Sequence, residues 1–564
     1  MVHPAPARSA GEELVASRSA LVVLVGPGSS RTRPSESDAL ERKLESIPTL
    51  SVGLISTAQG DYTPARMLQD LERAAHMADT AGSPGRLRIA RLPAGPAGAG
   101  RLPGLVEARR PGELVLIVEQ ASSAQAHELR WCAVAGLGPS SQTLTSQTTE
   151  QRGIIAALDV APTLLAHLRL PIPAVMRGKQ IRLDGKLDGA ALLTLKARLE
   201  IVYPRRQAAL VCLLAAWALL LVAARAHRAW ACRCGALAVL WSPVALLLPA
   251  ALEPSALGEY ALIVGASFAL AAFTDALLPW PRAPIAPAVA ATLALSIDAL
   301  AGTQLLIRSL LGPNPAYGSR FYGIGNELKS GLAVLVLAAV AGALYPAVRS
   351  RRAATTMAGA GALLAAIEGA ARIGAGVGGV VLVCAGTAAA TAMLLPGSLT
   401  RRRVLAGLAA PVAGLLLLAA IDLVTAHGAG HFTGSVLDAR SASDLQEEIV
   451  RRYEAAWREL RNGLMPLATA AALLLAAAGI CYRERLLEPV HSDPAWLAAL
   501  AGGLTAGAVG ALVEDSGPVL LVVAVSTLAC VLAYLWGKPL TPRSLRTPLA
   551  TRSRALRRSA GRAS

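Results

Sequence analysis

Four groups of ionisable residues in this 564-residue chain stand at the edges of apolar stretches, where burying charge is costly and such residues are candidates for function. The first is the segment 312–329, Gly-Pro-Asn-Pro-Ala-Tyr-Gly-Ser-Arg-Phe-Tyr-Gly-Ile-Gly-Asn-Glu-Leu-Lys. Its glycines and prolines shape an irregular backbone, which at membrane depth is tolerated only inside protein or beside water. Arg320 offers a planar fork that fits a phosphate or carboxylate, and Tyr322, Asn326 and Glu327 add hydrogen-bonding groups. An aromatic interface anchor ahead of a capped helix accounts for the same residues equally well. The second group, Glu368 and Arg372, has i,i+4 spacing, which alone is most often a local helix salt bridge. The third is Asp422, His427 and His431, and the fourth is Glu514, Asp515 and Ser516. If separate hairpins carry these groups to one face, Arg320 and Arg372 are placed to hold phosphate. Tyr322, Asn326, Glu368 and Ser516 then complete a binding site, with Glu327, His427, His431 or Asp515 as acid or base. Asp298, Gln304 and Arg308 extend the polar line inward or bond helices together, and Asp275 suits packing or loop anchoring.

The elements that must position these groups are long and apolar. The chain is 54% hydrophobic and 16% charged, against roughly 45–50% and about 25% in globular proteins, and its mean hydropathy is +0.49. These values exclude a string of soluble domains. Eleven stretches near the length of a membrane span occur at 207–225, 235–252, 258–279, 286–307, 328–347, 353–371, 375–395, 404–424, 464–482, 495–513 and 517–536. The expected architecture is therefore an α-helical polytopic membrane domain over 207–537, with a basic tail at 538–564. Arginine-bearing loops at 225–233, 282, 349–352, 401–403 and 483–485 fall on one side, which the positive-inside rule assigns to the cytoplasm. The same parity puts the tail inside and residues 1–206 outside, although Arg205 and Arg206 precede the first span. The net charge of +17 lies largely in those loops and the tail, so it reads as topology signal and not as nucleic-acid binding. Residues 1–20 lack the basic and apolar regions of a signal peptide, so an outside domain requires a preceding signal or anchor segment. Between the eighth and ninth spans, Ser443-Asp444-Leu445-Gln446 is a capping box, followed by Leu445, Ile449, Tyr453, Trp457 and Leu460 at helical spacing. An amphipathic helix over 443–461 is expected, lying on the outer leaflet or as a lid over the polar groups.

The first third alternates short strands, 21–25, 50–55, 87–90, 114–118 and 154–158, with helical stretches such as 64–77 and 160–168. After a disordered or truncated start at 1–17, a small α/β domain with a largely parallel sheet is expected over 18–200. The segment Thr148-Thr149-Glu150-Gln151-Arg152-Gly153-Ile154-Ile155-Ala156-Ala157-Leu158-Asp159-Val160-Ala161-Pro162-Thr163-Leu164-Leu165, continuing to Leu170-Pro171-Ile172-Pro173 and Gly178, resembles the closing strand and helix of alkaline-phosphatase-superfamily domains. The resemblance implies a metal-binding Asp and a Ser or Thr nucleophile after the first strand, with further Asp and His ligands after a later one. Here those strands run into Gly26-Pro27-Gly28 and Glu119-Gln120, and His76, His127 and His167 have no acidic neighbours at ligand spacing. A shortened, catalytically inactive domain without metal or other cofactor is expected. Cys232 and Cys234 form a lone CxC with no second pair, and the seven cysteines make no disulfide framework.

Two further motifs carry less. Gly374-Ala375-Gly376-Val377-Gly378-Gly379 satisfies GxGxxG but opens an apolar span, so it reads as close helix packing. Gly26-Pro27-Gly28-Ser29-Ser30 lacks the ending of a phosphate loop. The outer domain, the Arg-Phe-Tyr-Gly-Ile-Gly-Asn-Glu loop and the Glu514–Gly517 turn together resemble an uncharacterised group of bacterial envelope proteins, in which such a domain precedes a many-span unit. That resemblance implies a multi-pass protein of the plasma membrane. Its expected partners are membrane lipids, a lipid-linked anionic envelope precursor and other envelope proteins. A transporter or flippase using Asp298, Glu368, Arg372 and Asp422 is one alternative, and a non-catalytic scaffold is another.

Overall fold

The computed structural model describes residues 18–26, 34–57, 62–81, 85–121, 128–173, 175–315, 321–374, 376–398, 400–426 and 442–539. An eight-stranded sheet forms the N-terminal domain, from β1 Ser19–Val25, β2 Ser51–Ser56, β3 Leu87–Leu92, β4 Glu113–Glu119, β5 Leu129–Ala135, β6 Gln142–Ser146, β7 Ile154–Ala156 and β8 Ile181–Lys186. The strand order is β3-β1-β4-β5-β2-β6-β8, with β7 beside β2. The five strands read from the sequence are present, and β5, β6 and β8 are additional. The sheet is mixed: β1 runs parallel to β3 and β4, whereas β5 is antiparallel to both β4 and β2. Parallel partners need a crossover of a dozen or more residues, and the 120–128 connection between β4 and β5 is too short for one.

Alternate residues of β1 feed two cores, as the period of two requires. Leu21, Val23 and Val25 pack with Leu40 and Leu44 of α1, Pro34–Glu45. Ala20, Val22 and Leu24 pack with Met67 and Leu71 of α2, Pro64–Thr80, and with Val160 and Leu164 of α3, Val160–His167. The first core is completed by Leu192, Leu195 and Leu199 of α4, a 35-residue helix running Gly189–Ala223. At 1.5 Å per residue α4 is about 50 Å long, so one helix ties the domain to the apolar region.

The remaining helices that concern the site are α5 Arg228–Leu240, α6 Ala256–Leu277, α7 Ile285–Leu300, α8 Gln304–Arg308, α9 Asn326–Leu344, α10 Arg351–Gly369, α11 Val377–Leu394, α12 Arg401–Ala426, α13 Ala442–Leu460, α14 Met465–Cys481, α15 Pro494–Val513 and α16 Pro518–Trp536. Among the described residues, seven helices are long and apolar enough to cross a membrane, or up to nine if each of two bent pairs counts as one. One bent pair turns by 51° after Leu240; the other, Arg452–Leu460 with Met465–Cys481, turns by 94°. The amphipathic α13 thus lies across the axis of α14, with Val450, Tyr453 and Trp457 exposed. The fourth apolar stretch is broken between α7 and α8 at Gly302 and Thr303, both at positive φ. Asp298 accounts for the break, its carboxylate accepting from the Leu305 and Leu306 N–H groups at 2.8 and 2.7 Å and capping α8.

The domain docks on the end of the bundle that carries the 302–326 connection. Ser56 donates to the Pro315 carbonyl at 2.7 Å and Gln151 Nε2 to the Gly302 carbonyl at 3.1 Å, while Ile307 and Phe321 enter the domain's own core. Arg205 and Arg206, exceptions to the charge pattern beside the first apolar stretch, are held by specific partners. Arg205 pairs at 2.8 Å with buried Glu259, which Arg198 also grips through both oxygens. Arg206 donates to the Leu310 and Gly312 carbonyls and to Glu327.

Candidate functional site

The polar site lies at the domain-side end of the bundle, where α9 begins beside the turn joining α15 to α16. Asn326 opens α9 and Lys329 stands three residues on, so the two share a face. Lys329 is fully buried. Its Nζ donates to Asn326 Oδ1 at 2.9 Å and to Glu514 Oε1 at 3.2 Å. The amide orientation of Asn326 is thereby fixed, and its Nδ2 donates to Asp515 Oδ1 at 2.6 Å. Ser516 donates to the same oxygen at 3.3 Å. Ser330 pins α9 to α16 by donating to the Leu520 carbonyl at 2.8 Å. Charge is thus graded with depth: Lys329 and Glu514 are buried, while Asp515 is exposed at the surface.

The glycine run at 374–379 makes room for these side chains. A Cβ at Gly376 would overlap Lys329 Nζ, and one at Gly378 would overlap the Glu514 carboxyl. At Gly379 it would lie 2.5 Å from Glu368 Oε2 and 3.0 Å from Lys329 Cδ, so the fully buried Glu368 converges on the same spot from α10. The GxGxxG pattern does serve close packing, but against charged side chains as well as against another helix. Four elements, α9, α10, α11 and the 514–516 turn, therefore build one site.

Several expected members go elsewhere. Glu327 accepts from Arg206 Nη1 at 3.4 Å and ties α9 to α4. Tyr322, next to Phe321, packs against the domain core. Arg372 forms no salt bridge with Glu368: α10 ends at Gly369 and Ala370 is extended, so the i,i+4 face no longer exists. Arg372 is instead exposed on the 371–374 turn. Asp298 is a helix cap, and Arg308 pairs with Glu253 at 2.8 Å. Asp275 holds Arg233 through both oxygens at 2.8 and 2.9 Å, which is the anchoring role expected of it. Arg320, His427 and His431 lie outside the described residues, and Asp422 stands on α12. Lys329 and Glu514 are the members that sequence reasoning left off the site, although a lysine three residues after Asn326 at the head of an apolar run was a usable signal.

In the N-terminal domain, the ends of β1 and β4 frame a shallow cleft lined by Val25, Gly26, Leu40, Ala94, Gly95, Glu119 and Gln120. Glu119 is buried and committed: it pairs with Arg130 at 3.3 Å and accepts from Ser37 at 3.4 Å and from the Trp131 N–H at 3.0 Å. The Arg130 guanidinium already supplies the positive charge beside that carboxylate. Asp159 accepts from Ser146, Thr148 and the N–H groups of Ala156 and Lys179. Burial pushes the Asp159 carboxyl up, against those four donors, and its contacts are those of a turn-organising residue. Among the described residues, no group of three or more His, Cys, Asp or Glu could hold a metal ion. No protein family, no curated protein and no solved structure matches this chain.

Proposed function

We propose that the chain is a cell-envelope protein of the plasma membrane whose polar site faces outward and acts on a lipid-linked, phosphate-bearing substrate. In this reading the eleven apolar stretches are eleven spans, the N-terminal domain is extracytoplasmic, and the C-terminal tail is cytoplasmic. The domain, phosphatase-like in its 148–178 segment, has no hydrolytic role of its own and braces the 302–326 connection. Asp515 is the acid or base, oriented by Asn326, and Arg372 with Arg320 holds phosphate.

The observation that carries the reading is Lys329, fully buried at the head of an apolar helix and bonded to Asn326 and Glu514. Replacing a buried ion pair with apolar residues is often neutral or stabilising, so a purely structural contact has no need of one here. A transport path is not favoured. Beyond the site, Val334, Leu337, Ala338, Ala341, Trp496 and Leu528 form an apolar plug before the Arg233–Asp275 pair at the other end.

The test is complementation of a deletion strain, scored with membrane abundance, by Asp515→Asn, Arg372→Lys, Arg320→Lys and Arg402→Lys. Loss in the first three with Arg402→Lys silent is expected. Full function in all four at normal abundance would leave only the scaffold. Reporter fusions at Glu107 and Arg402 are expected outside and inside, respectively.

A further inference from the structure

The connection from α8 to α9 is irregular, and arginines of α4 take its backbone carbonyls. Arg198 Nε donates to the Arg308 carbonyl at 2.8 Å. Arg206 Nε donates to the Leu310 carbonyl at 2.6 Å, and Arg206 Nη2 to the Gly312 carbonyl. Leu310 and Gly312 are buried, where a carbonyl without a partner is costly.

The third nitrogen of Arg206 leads to the polar site. Its Nη1 donates to Glu327 Oε1 at 3.4 Å, so every nitrogen of one rigid, planar guanidinium is committed. Glu327 follows Asn326 in the first turn of α9. Consecutive helical residues point about 100° apart, so Glu327 reaches α4 while Asn326 reaches Asp515 Oδ1 at 2.6 Å. Arg206 therefore sets the first turn of α9 against residues 310 and 312 with a single group. The residues just before α9 are tied in as well. The Gly323 N–H donates to Thr303 Oγ1 at 3.2 Å, and the Ile324 N–H donates at 2.8 Å to the carbonyl of Ile373, beside Arg372.

We infer that Arg206 is a positioning residue of the polar site. It places Asn326 against Asp515 through Glu327, and the neighbouring Ile324–Ile373 bond carries that placement to the turn bearing Arg372. Its neighbour Arg205 has no such reach: it pairs with Glu259, which Arg198 already grips through both oxygens. Lysine at 206 keeps the charge but presents its N–H groups from one nitrogen, which cannot span the three acceptors of the fork. The inference rests on the proposed site, since it names what holds the residue that orients Asp515.

The test compares Arg206→Lys and Arg205→Lys in the full chain, by hydrogen exchange in detergent and by complementation scored with membrane abundance. In Arg206→Lys the Gly323 and Ile324 amides are expected to exchange faster by about tenfold or more, the order of one lost bond to a charged group. The α15 amides are expected to be unchanged, and complementation to be lost at normal abundance. Arg205→Lys is expected to match the parent in both measurements. Glu327→Ala removes only the α9 arm of the fork, from a partly exposed position, and decides the matter should Arg206→Lys fail to accumulate. It is expected to accelerate the same two amides and to lose complementation, and Glu327→Gln, which keeps an oxygen for the fork, to rescue both in large part. Unchanged exchange at Gly323 and Ile324, or full function despite faster exchange, would overturn the inference. So would equal acceleration across α9, α11 and α15, which would make Arg206 a general stabiliser. Faster exchange confined to Gly323 and Ile324 together with a fully functional Asp515→Asn strain removes the acid–base reading and leaves the positioning by Arg206 standing. Unchanged exchange with a non-functional Asp515→Asn strain removes the positioning alone.

Discussion

Asn326 joins the buried and exposed halves of the site: its Oδ1 accepts from Lys329 at 2.9 Å while its Nδ2 donates to Asp515 at 2.6 Å. Because an amide has one acceptor end and one donor end, Lys329 dictates which end faces Asp515. Asn326→Leu strips a partner from both charges and is expected to cost about 1–3 kcal/mol of stability. Asp515→Asn is expected to unfold at the parent temperature, because its amide oxygen still accepts from Asn326, while losing the acid–base group. Thermal unfolding in detergent separates the two, and equal melting of Asn326→Leu and parent would contradict the assigned contact.

Lys329 and Glu514 form an ion pair with both side chains almost wholly withdrawn from solvent. Removing the lysine alone leaves Glu514 buried without it. Lys329→Met is therefore expected to destabilise by about 3–5 kcal/mol, and Lys329→Met with Glu514→Leu to recover most of that loss. Recovered stability without recovered complementation identifies the pair as functional; a double variant as unstable as the single shows that Glu514 is not the partner left behind.

Gly378 of α11 and Gly359 of α10 differ in what a methyl would meet. A Cβ at Gly378 overlaps the Glu514 carboxyl, whereas one at Gly359 of α10 meets nothing within 4 Å. Gly378→Ala is expected to cost about 1–3 kcal/mol as overpacking. Gly359→Ala is expected to be neutral or to stabilise by up to about 1 kcal/mol through helix propensity. Comparable melting of the two variants would mean that the site can relax around a methyl.

His167 offers a pH test in the N-terminal domain. Its Nε2 lies 3.0 Å from the Gly112 carbonyl, and burial holds the imidazole below its ordinary range. A histidine depressed on folding takes up its proton first in the unfolded chain, so it destabilises the fold as pH falls. The contribution is absent above about pH 6.5, the unfolded value, and grows until pH passes the lower folded value. Protection factors of β1 and β4 amides, referred to the intrinsic exchange rate at each pH, are expected to fall between pH 7 and pH 5 in the parent, and less in His167→Gln. An identical pH response in the two would remove His167 from the account.

Hydropathy alone placed eleven apolar stretches, all of which are largely helical, and short β-branched or leucine-rich runs placed five strands, because both signals are local in the chain. The apolar positions Leu445, Ile449, Tyr453, Trp457 and Leu460 at helical spacing likewise announced α13, and the 514–516 turn was visible as acid between two apolar runs. Which charges meet was not legible. Lys329 reaches Glu514 across 185 residues and Asn326 reaches Asp515 across 189, so no spacing rule relates them. Local spacing even misled at Glu368 and Arg372, since it presumes a helix that ends at Gly369. The strands β5, β6 and β8 escaped notice because their polar residues, such as Arg130, Thr143 and Asp184, interrupt the apolar pattern. Arg130 is buried by its pairing with Glu119, a contact that exists only once β4 and β5 lie side by side. Composition decided that charge is scarce; the packing of α9, α10, α11 and the α15–α16 turn decided where the scarce charge is held.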